Sequence, residues 1–251
     1  MSQSQGSQPA QPLIGKSALV TGGARRIGRA IALSLARAGA NVTITFRSSE
    51  AESDATISEI ENLGRHALAV ACDVRSESSV REAIGASIAQ FGRLDVLVNN
   101  AAVYEDAALD TLTLKQWDAV FETNARGPFL VAREALLHLR AVHGRIVNIG
   151  SLGGMRAWAT HGHYCASKAA LHMLTQVMAK AFAPEVTVNC VAPGWIEMDE
   201  NPAEIAARMA SKNPLHRNGT ADDVADAVLF FATSANFVTG QVLAVDGGLG
   251  L

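Results

Sequence analysis

The chain has 251 residues and a formal net charge of −3, with 49% hydrophobic and 18% charged residues. This composition is typical of a folded domain with a large core and excludes disorder along the whole chain. Its 21 basic and 24 acidic residues form no basic block and no apolar run reaches the ~20 residues of a membrane span, so we expect neither a nucleic-acid nor a membrane partner.

The N-terminus and the cysteines indicate the compartment. Residues 1–12 are rich in Ser and Gln without the hydrophobic stretch of a secretory signal, so we interpret them as a disordered tail before one domain, 13–251. Cys72, Cys165 and Cys190 lie far apart in sequence, which argues against a disulfide framework and against a metal site. We therefore expect a cytoplasmic protein without a metal.

Strand-like and helical segments alternate from Lys16 to the end of the chain. Helical spacing connects Ile27, Ile31 and Leu35, and Gly39 ends that run. The strand-like segments are 17–21, 41–46, 66–71, 94–98, 145–149, 186–191 and 241–245. This alternation predicts an α/β fold, a single Rossmann-type domain in which a doubly wound parallel sheet of about seven strands has helices on both faces.

A glycine-rich turn follows the first strand, over Thr21–Gly28. Such a turn between a strand and a helix directs backbone N–H groups and the positive helix end at a pyrophosphate. A tight turn uses glycine without any ligand too, but its place after the first strand favours a dinucleotide. The predicted contacts are Gly22, Arg25, Arg26, Ile27 and Gly28.

Arg47 and Ser48 follow the second strand. A chain that prefers NAD usually has an acidic residue here for the ribose 2′-hydroxyl. An arginine and a hydroxyl can bind a 2′-phosphate instead, and Arg25 adds a positive charge, although an ordinary solvated arginine is the alternative at position 47. We predict NADPH/NADP+ as the cofactor.

The next two strand ends place further residues near the cofactor: Asp73, Val74, Asn100 and Ala101. Asp73 either contacts the adenine amino group or caps the helix that begins near Ser76. The asparagine pair Asn99-Asn100 can brace the sheet by side-chain hydrogen bonds to the backbone.

Ser151 follows the fifth strand, and Tyr164 and Lys168 come later at a spacing of four. That spacing stacks both side chains on one helix face. A free tyrosine titrates near ~10. A neighbouring ammonium and an oxidised nicotinamide ring stabilise the phenolate, so its pKa falls toward neutral pH. Such a pair also arises by chance, but the serine at a strand end and the upstream glycine turn favour proton transfer.

Together these residues resemble the short-chain dehydrogenase/reductase family, over nearly the whole chain from about residue 16. The matching motifs are Thr21-Gly22 to Gly28, Asn99-Asn100-Ala101, Asn124, Ser151, Tyr164, Lys168, Pro193-Gly194 and Asp246-Gly247-Gly248.

The resemblance implies a role for each residue of the tetrad. Tyr164 donates the proton when a carbonyl is reduced to an alcohol, and Ser151 holds the substrate oxygen. Lys168 binds the nicotinamide ribose and lowers the pKa of the tyrosine, and Asn124 positions a water that returns protons to the lysine.

The resemblance also implies contacts and assembly beyond the tetrad. Pro193, Gly194 and Ile196 are expected to contact the cofactor. Helices around 117–140 and 161–183 are expected to form a homotetramer.

Two positions depart from the family pattern. Arg26 replaces the middle glycine of the turn, which is similar to the pteridine reductases, as is Phe46-Arg47-Ser48; its side chain would project over the pyrophosphate toward the substrate. Trypanosomatid pteridine reductases, however, have Asp where this chain has Ser151, so it also resembles 3-oxoacyl-carrier-protein reductases. Met198 replaces a frequent Thr, so a contact to the nicotinamide amide is lost or replaced.

Three functions stay open: reduction of a carbonyl, reduction of C=N in a dihydropterin, and binding of NADP(H) by a regulator without chemistry. The last class usually loses the Tyr or the Lys, and this chain keeps both.

Several residues near the predicted cleft are candidates for the substrate. Trp158 and Trp195 fall in loops there and join Arg26 as candidates, with simple packing as their alternative. We predict that residues 195–214 form a mobile lid. His161, His163 and Cys165 flank or adjoin Tyr164, but without a carboxylate or cysteine cluster we expect them to be structural.

Overall fold

The computed structural model describes residues 11–233, 235 and 237–251. The predicted tail therefore lies outside the described residues except for Gln11 and Pro12, which are exposed.

Seven parallel strands form one sheet in the described part of the chain, in the order β3-β2-β1-β4-β5-β6-β7. The strands are β1 (Ser17–Val20), β2 (Asn41–Phe46), β3 (Ala67–Ala71), β4 (Val96–Asn99), β5 (Arg145–Ile149), β6 (Thr187–Pro193) and β7 (Val242–Val245). The predicted architecture is confirmed, and each strand lies within two residues of its predicted bounds.

Helices connect the strands. They are α1 (Arg26–Arg37), α2 (Glu50–Asn62), α3 (Glu77–Phe91), α4 (Leu114–Phe121), α5 (Gly127–Ala141), α6 (Gly162–Phe182), α7 (Ala203–Lys212) and α8 (Ala221–Thr233). A π-helical turn (Glu122–Arg126) joins α4 to α5, and a short 3-10 turn (Leu152–Gly154) follows β5. Helix α1 ends just before Gly39, whose φ of +105° is left-handed, as the helix stop predicts.

The five inner strands, β2, β1, β4, β5 and β6, are buried on both faces, which explains their largely apolar sequences, whereas the edge strands β3 and β7 are only partly buried. Val20 and Val98 belong to the core that includes α1 and α8, whereas their neighbours Leu19 and Leu97 belong to the core on the opposite face, with α3, α5 and α6. Successive residues of a strand point to opposite faces, so both must be apolar when helices cover both sides. Each such buried side chain contributes roughly 1.5–3 kcal/mol.

The topology fixes where a ligand can bind. All strands are parallel, so their carboxyl ends meet at one edge of the sheet. The strand order reverses between β1 and β4, and a crevice opens outside the carboxyl ends at such a switch point.

Candidate active site

The turn after β1 is built so that the chain packs back on itself. A Cβ at Gly28 would lie 2.1 Å from the C=O oxygen of Gly22 and 2.6 Å from Nδ2 of Asn100, so only glycine fits there. Gly22 has φ +62° and Arg26 has φ +51°, the left-handed region that costs a side-chain-bearing residue energy. This turn places the first backbone N–H groups of α1 beside the crevice.

Hydrogen bonds lock this turn to the end of β4. Oγ1 of Thr21 accepts the backbone N–H of Asn100 at 2.9 Å and of Ala101 at 3.0 Å. Nδ2 of Asn100 donates to the C=O of Thr21 at 2.9 Å and of Gly22 at 3.0 Å. Asn99 differs from its neighbour, since it donates to the side chain of Asn148 at 2.9 Å rather than to backbone.

A groove of about 370 Å³ runs along the carboxyl edge beside the turn. Every predicted cofactor residue at the first four strand ends lines it: Gly22, Arg25, Arg26, Ile27, Gly28, Arg47, Ser48, Asp73, Val74, Asn100 and Ala101. Tyr104, which the sequence analysis missed, and Met198 line it too.

The other predicted cofactor residues are not among the described residues that line this groove. They are Tyr164 and Lys168 of α6, Pro193 at the end of β6, and Gly194 and Ile196 just after it. Gly194 packs against Asp246, where a Cβ would come within 2.6 Å of the Asp246 Cβ, and Ile196 forms a parallel bridge with Gly219.

Asp73 is held by an arginine and does not cap the next helix. Its carboxylate accepts from the guanidinium of Arg75 at 2.6–3.1 Å and from the backbone N–H of Arg75 at 3.0 Å. These hydrogen bonds lower the pKa of Asp73 to about 2, with a smaller contribution from Arg47. Ser76 caps α3 instead, so the helix-cap alternative for Asp73 is wrong.

Helix α6 brings Tyr164 and Lys168 together with Ser151. Lys168 is 2% exposed, its Nζ donates to the C=O of Ile149 at 2.7 Å, and it lies 5.8 Å from the centre of the Tyr164 ring. Oγ of Ser151 accepts the backbone N–H of Gly153 at 3.0 Å, which leaves the O–H of the serine to donate elsewhere.

The pKa of Tyr164 does not fall as the sequence predicts. Burial raises the pKa of Tyr164, and the Ser151 hydroxyl acts in the opposite direction. Burial lowers the pKa of Lys168 to about 8. Lys168 is not among the groups that shift the pKa of Tyr164, so the expected lowering by Lys168 is not seen, and burial keeps the phenol protonated.

Asn124 sits within the π-helical turn and is fully buried. Its Oδ1 accepts the backbone N–H of Val103 at 2.9 Å, and its Nδ2 donates to the C=O of Val103 at 2.9 Å and to Oγ of Ser167 at 3.2 Å. Such turns are frequent at functional sites. The carboxamide thus fixes the segment after β4 against α6.

Three aromatic side chains, Tyr104, Trp158 and His161, form a group that is called the aromatic wall below; Tyr104 and Trp158 lie against the Tyr164 ring, and His161 contacts both of them. Tyr104 meets Tyr164 edge-on at 4.9 Å and stacks on His161 at 4.7 Å, and Trp158 lies nearly parallel to Tyr164 at 6.3 Å. Nε2 of His161 is 2.5 Å from Oδ1 of Asp106. Burial and the charge of Asp106 raise the pKa of Tyr104 to about 12.

The other residues singled out near the site take different positions. His163 is fully buried, and neither of its ring nitrogens has a partner among the described residues. The indole N–H of Trp195 is also buried without a described partner. Arg26 forms an ion pair with Glu200 of the segment 195–214 across the groove, and both side chains are half-exposed.

Two features of the described residues concern metals and membranes. Nowhere in them do three or more His, Cys, Asp or Glu side chains gather as a metal would require. None of the described helices combines the length and the apolar character of a membrane span. The three cysteines are free thiols.

The chain is similar in sequence to a known protein family and to individual reductases. A family model described as Enoyl-(Acyl carrier protein) reductase matches residues 22–250. The 3-oxoacyl-acyl-carrier-protein reductase of Staphylococcus aureus strain Mu50 is 38% identical over 240 residues, covering 93% of this chain and 98% of its own. The corresponding reductase of a Synechocystis strain is 39% identical over 241 residues, covering 94% and 98%.

Two solved structures are similar over nearly their whole length. A short chain dehydrogenase from Burkholderia cenocepacia in complex with NADP is 40% identical, with a TM-score of 0.90, and covers 96% of this chain and 100% of its own. A blue fluorescent protein from a metagenomic library in complex with NADPH is 38% identical, with the same TM-score and coverage.

Proposed function

Since the chain belongs to the short-chain dehydrogenase/reductase family, we propose that it is an NADPH-dependent oxidoreductase that reduces a carbonyl to an alcohol, with Tyr164 as the proton donor. One observation carries the proposal. Ser151, Tyr164 and Lys168 are gathered together, and Tyr104, whose ring contacts that of Tyr164, lines the groove that bears Arg47 and Ser48 at the end of β2.

The groove suits NADPH in shape and charge. The absence of side chains at Gly22 and Gly28 lets a pyrophosphate approach the start of α1. Arg47 and Ser48 supply a cation and a hydroxyl where a 2′-phosphate would lie, and Arg25 supplies a second cation. The complexes of relatives with NADPH and NADP support this choice.

When bound, NADPH supplies the hydride, and its oxidised ring supplies a positive charge. The chain's residues do the rest. The O–H of Ser151 donates to the substrate oxygen, since its Oγ accepts from Gly153 and its hydrogen remains available. Tyr164, which burial keeps protonated, gives its proton to that oxygen as it becomes an alcohol. Lys168 returns a proton to Tyr164, and a water positioned by Asn124 resupplies the lysine.

Carbonyl reduction is favoured over dihydropterin reduction by two observations. Ser151 stands where trypanosomatid pteridine reductases have Asp. The guanidinium of Arg26 contacts Glu200 of the opposite segment, so it is engaged away from a substrate. The 3-oxoacyl-acyl-carrier-protein reductases among the relatives support a ketone, and a regulator without chemistry would not need the complete tetrad.

The aromatic wall bears on the shape of the substrate. Tyr104 and Trp158 cover the Tyr164 ring from two sides. Rings placed this way bind flat or apolar groups next to a carbonyl by stacking. We assign substrate contact to Trp158 and Tyr104, and packing to Trp195.

The remaining assignments complete the proposal. Residues 13–251 form one catalytic domain, in which 195–214 is the lid over the groove. Pro193, Gly194 and Ile196 approach the nicotinamide end, at the carboxyl end of β6. The enzyme works as a homotetramer in the cytoplasm.

A panel of carbonyl compounds tests the function. Purified protein is given NADPH with simple ketones, β-keto esters, a 3-oxoacyl thioester and a dihydropterin, and the loss of absorbance of NADPH is followed. We expect turnover with at least one ketone. Turnover of only the dihydropterin would favour the pteridine reductases, and NADPH binding without any turnover would favour the silent regulator.

A further inference from the structure

A buried histidine lies behind Ser151, one helical turn after Lys168. His172 is 7% exposed, and its Nε2 accepts the backbone N–H of Ser151 at 3.4 Å. Tyr164, Lys168 and His172 follow each other at intervals of four on α6, so they share one helix face. The face that carries the proton donor therefore also contacts the backbone of the serine.

Two glycines make the space for this ring. A Cβ at Gly150 would lie 2.2 Å from Nε2 of His172, and a Cβ at Gly154 would lie 2.6 Å from its Cε1. Any other residue at either position would collide with the imidazole. The ring is thus held between the loop of Ser151 and α6 with little freedom to move.

Burial and the nearby ammonium of Lys168 keep the imidazole of His172 neutral. Burial and the ammonium of Lys168 lower the pKa of His172 to about 4. The other titratable neighbour is Cys190 of β6, whose Sγ flanks the same Gly150 position, and burial raises the pKa of this thiol to about 12. A neutral imidazole that accepts through Nε2 carries its proton on Nδ1.

We propose that His172 is a positioning residue: its unprotonated Nε2 holds the backbone of Ser151, so that the serine hydroxyl points at Tyr164 and the substrate oxygen. Gly153 contacts Oγ of the same serine at 3.0 Å, so two contacts fix its orientation. This inference rests on the proposed reductase function, which defines what the hydroxyl does.

Two variants of equal length separate the acceptor from the volume of the ring. His172→Gln places an oxygen where Nε2 lies, whereas His172→Met places a methyl group there. We expect His172→Met to lower kcat roughly tenfold, the size of one lost hydrogen bond, with the Kd for NADPH unchanged. His172→Gln should recover most of that loss. Equal kcat for both variants and the wild type would overturn the proposal.

A double-variant cycle tests whether His172 affects kcat through Ser151. In a Ser151→Ala background, His172→Met should cause no further loss of kcat, because the hydroxyl that it orients is gone. A full additional tenfold loss in that background would mean that His172 acts independently of Ser151, contrary to the proposal.

NMR of the histidine ring nitrogens gives a readout that needs no turnover. In the wild-type protein, His172 should show an unprotonated Nε2 and a protonated Nδ1, unchanged between about pH 5 and pH 8. The opposite tautomer, or titration in that range, overturns the inference even if the carbonyl panel shows no activity. An inactive wild type with the expected tautomer would count against the reductase function alone.

Discussion

At the scale of single residues, Lys168 couples burial to proton supply. Burial lowers its pKa to about 8, so the amine loses its proton at lower pH than a solvated lysine does. In the mechanism that we propose, reduction needs the protonated form, which returns a proton to Tyr164. The charged form is present below this pKa and is lost as the pH rises through it.

We therefore expect kcat for carbonyl reduction to fall as the pH rises through about 8. Steady-state rates at saturating NADPH and ketone, measured from about pH 6 to pH 10, check this expectation. A rate that stays constant across the alkaline half of this range would show that Lys168 is not the proton source.

The role that we propose for Arg47 in cofactor choice can be tested directly. Arg47→Leu removes the cation at the end of β2, so we expect the affinity for NADPH to fall roughly ten- to hundredfold, the size of a charge-assisted contact. The affinity for NADH should not change. Fluorescence titration with both dinucleotides measures the two Kd values.

Arg37 offers a matched control for this variant. It is exposed at the end of α1 and is not among the groove residues. Arg37→Leu should leave both Kd values unchanged. If wild-type protein binds NADH as tightly as NADPH, Arg47 does not have the role assigned to it.

At the scale of elements, the turn from β1 into α1 tolerates no side chain at Gly28. Gly28→Ala would force a Cβ to within 2.1 Å of the Gly22 oxygen, so the turn and its lock to Asn100 must open. We expect NADPH binding to be lost and the Tm to fall. Calorimetry and dinucleotide titration of the variant measure both effects.

Gly85 in α3 is the control for the turn, because a Cβ there meets nothing within 4 Å. Gly85→Ala should be neutral, or should stabilise the protein by up to about 1 kcal/mol through helix propensity. If both glycine variants had the same Tm and the same affinity for NADPH, the close contact at Gly28 would not be needed for stability or for NADPH binding.

The strands were predictable because burial on both faces leaves a direct pattern. Runs such as SALV and RIVNI are mostly apolar and almost entirely buried, and the ends of such strands located the groove residues from Gly22 to Ala101. The sequence carries no comparable pattern for residues that are distant along the chain but close together in the fold. Tyr104 sits in a loop, and only the fold brings it within 4.9 Å of Tyr164.

Two other features needed the coordinates for different reasons. The π-helical turn at Asn124 adds a residue to a helical run that periodicity alone treats as continuous. His172 has the spacing of an ordinary core residue on α6, so its contact with Ser151 could not be inferred. The raised pKa of Tyr164 follows from burial in three dimensions.

At the scale of the whole molecule, α5 and α6 each carry large apolar side chains that are exposed. Phe129 and Leu137 of α5 are 41% and 75% exposed, and Met173 and Val177 of α6 are 59% and 53% exposed. Met173 and Val177 are four residues apart and share one helix face. Phe129 and Leu137 are two turns apart, and the guanidinium of Arg133, which lies between them, is 5.3 Å from the centre of the Phe129 ring. Exposed apolar side chains grouped in this way can mark association sites.

We expect sedimentation velocity to find a tetramer for the wild type and smaller species for the double variant Leu137→Lys, Met173→Lys, because buried charges oppose association. Leu63→Lys, which changes an exposed leucine after α2, should leave the tetramer intact. A wild type that sediments as a monomer at micromolar concentration would contradict the assembly.

The central claim is that the phenol of Tyr164 hands its proton to the substrate in a groove that binds NADPH. Tyr164→Phe removes that proton and keeps the ring that packs against Tyr104 and Trp158. We expect kcat for NADPH oxidation by a ketone to fall roughly 10²–10⁴-fold in this variant, with the Kd for NADPH unchanged. Full turnover by this variant would contradict the central claim.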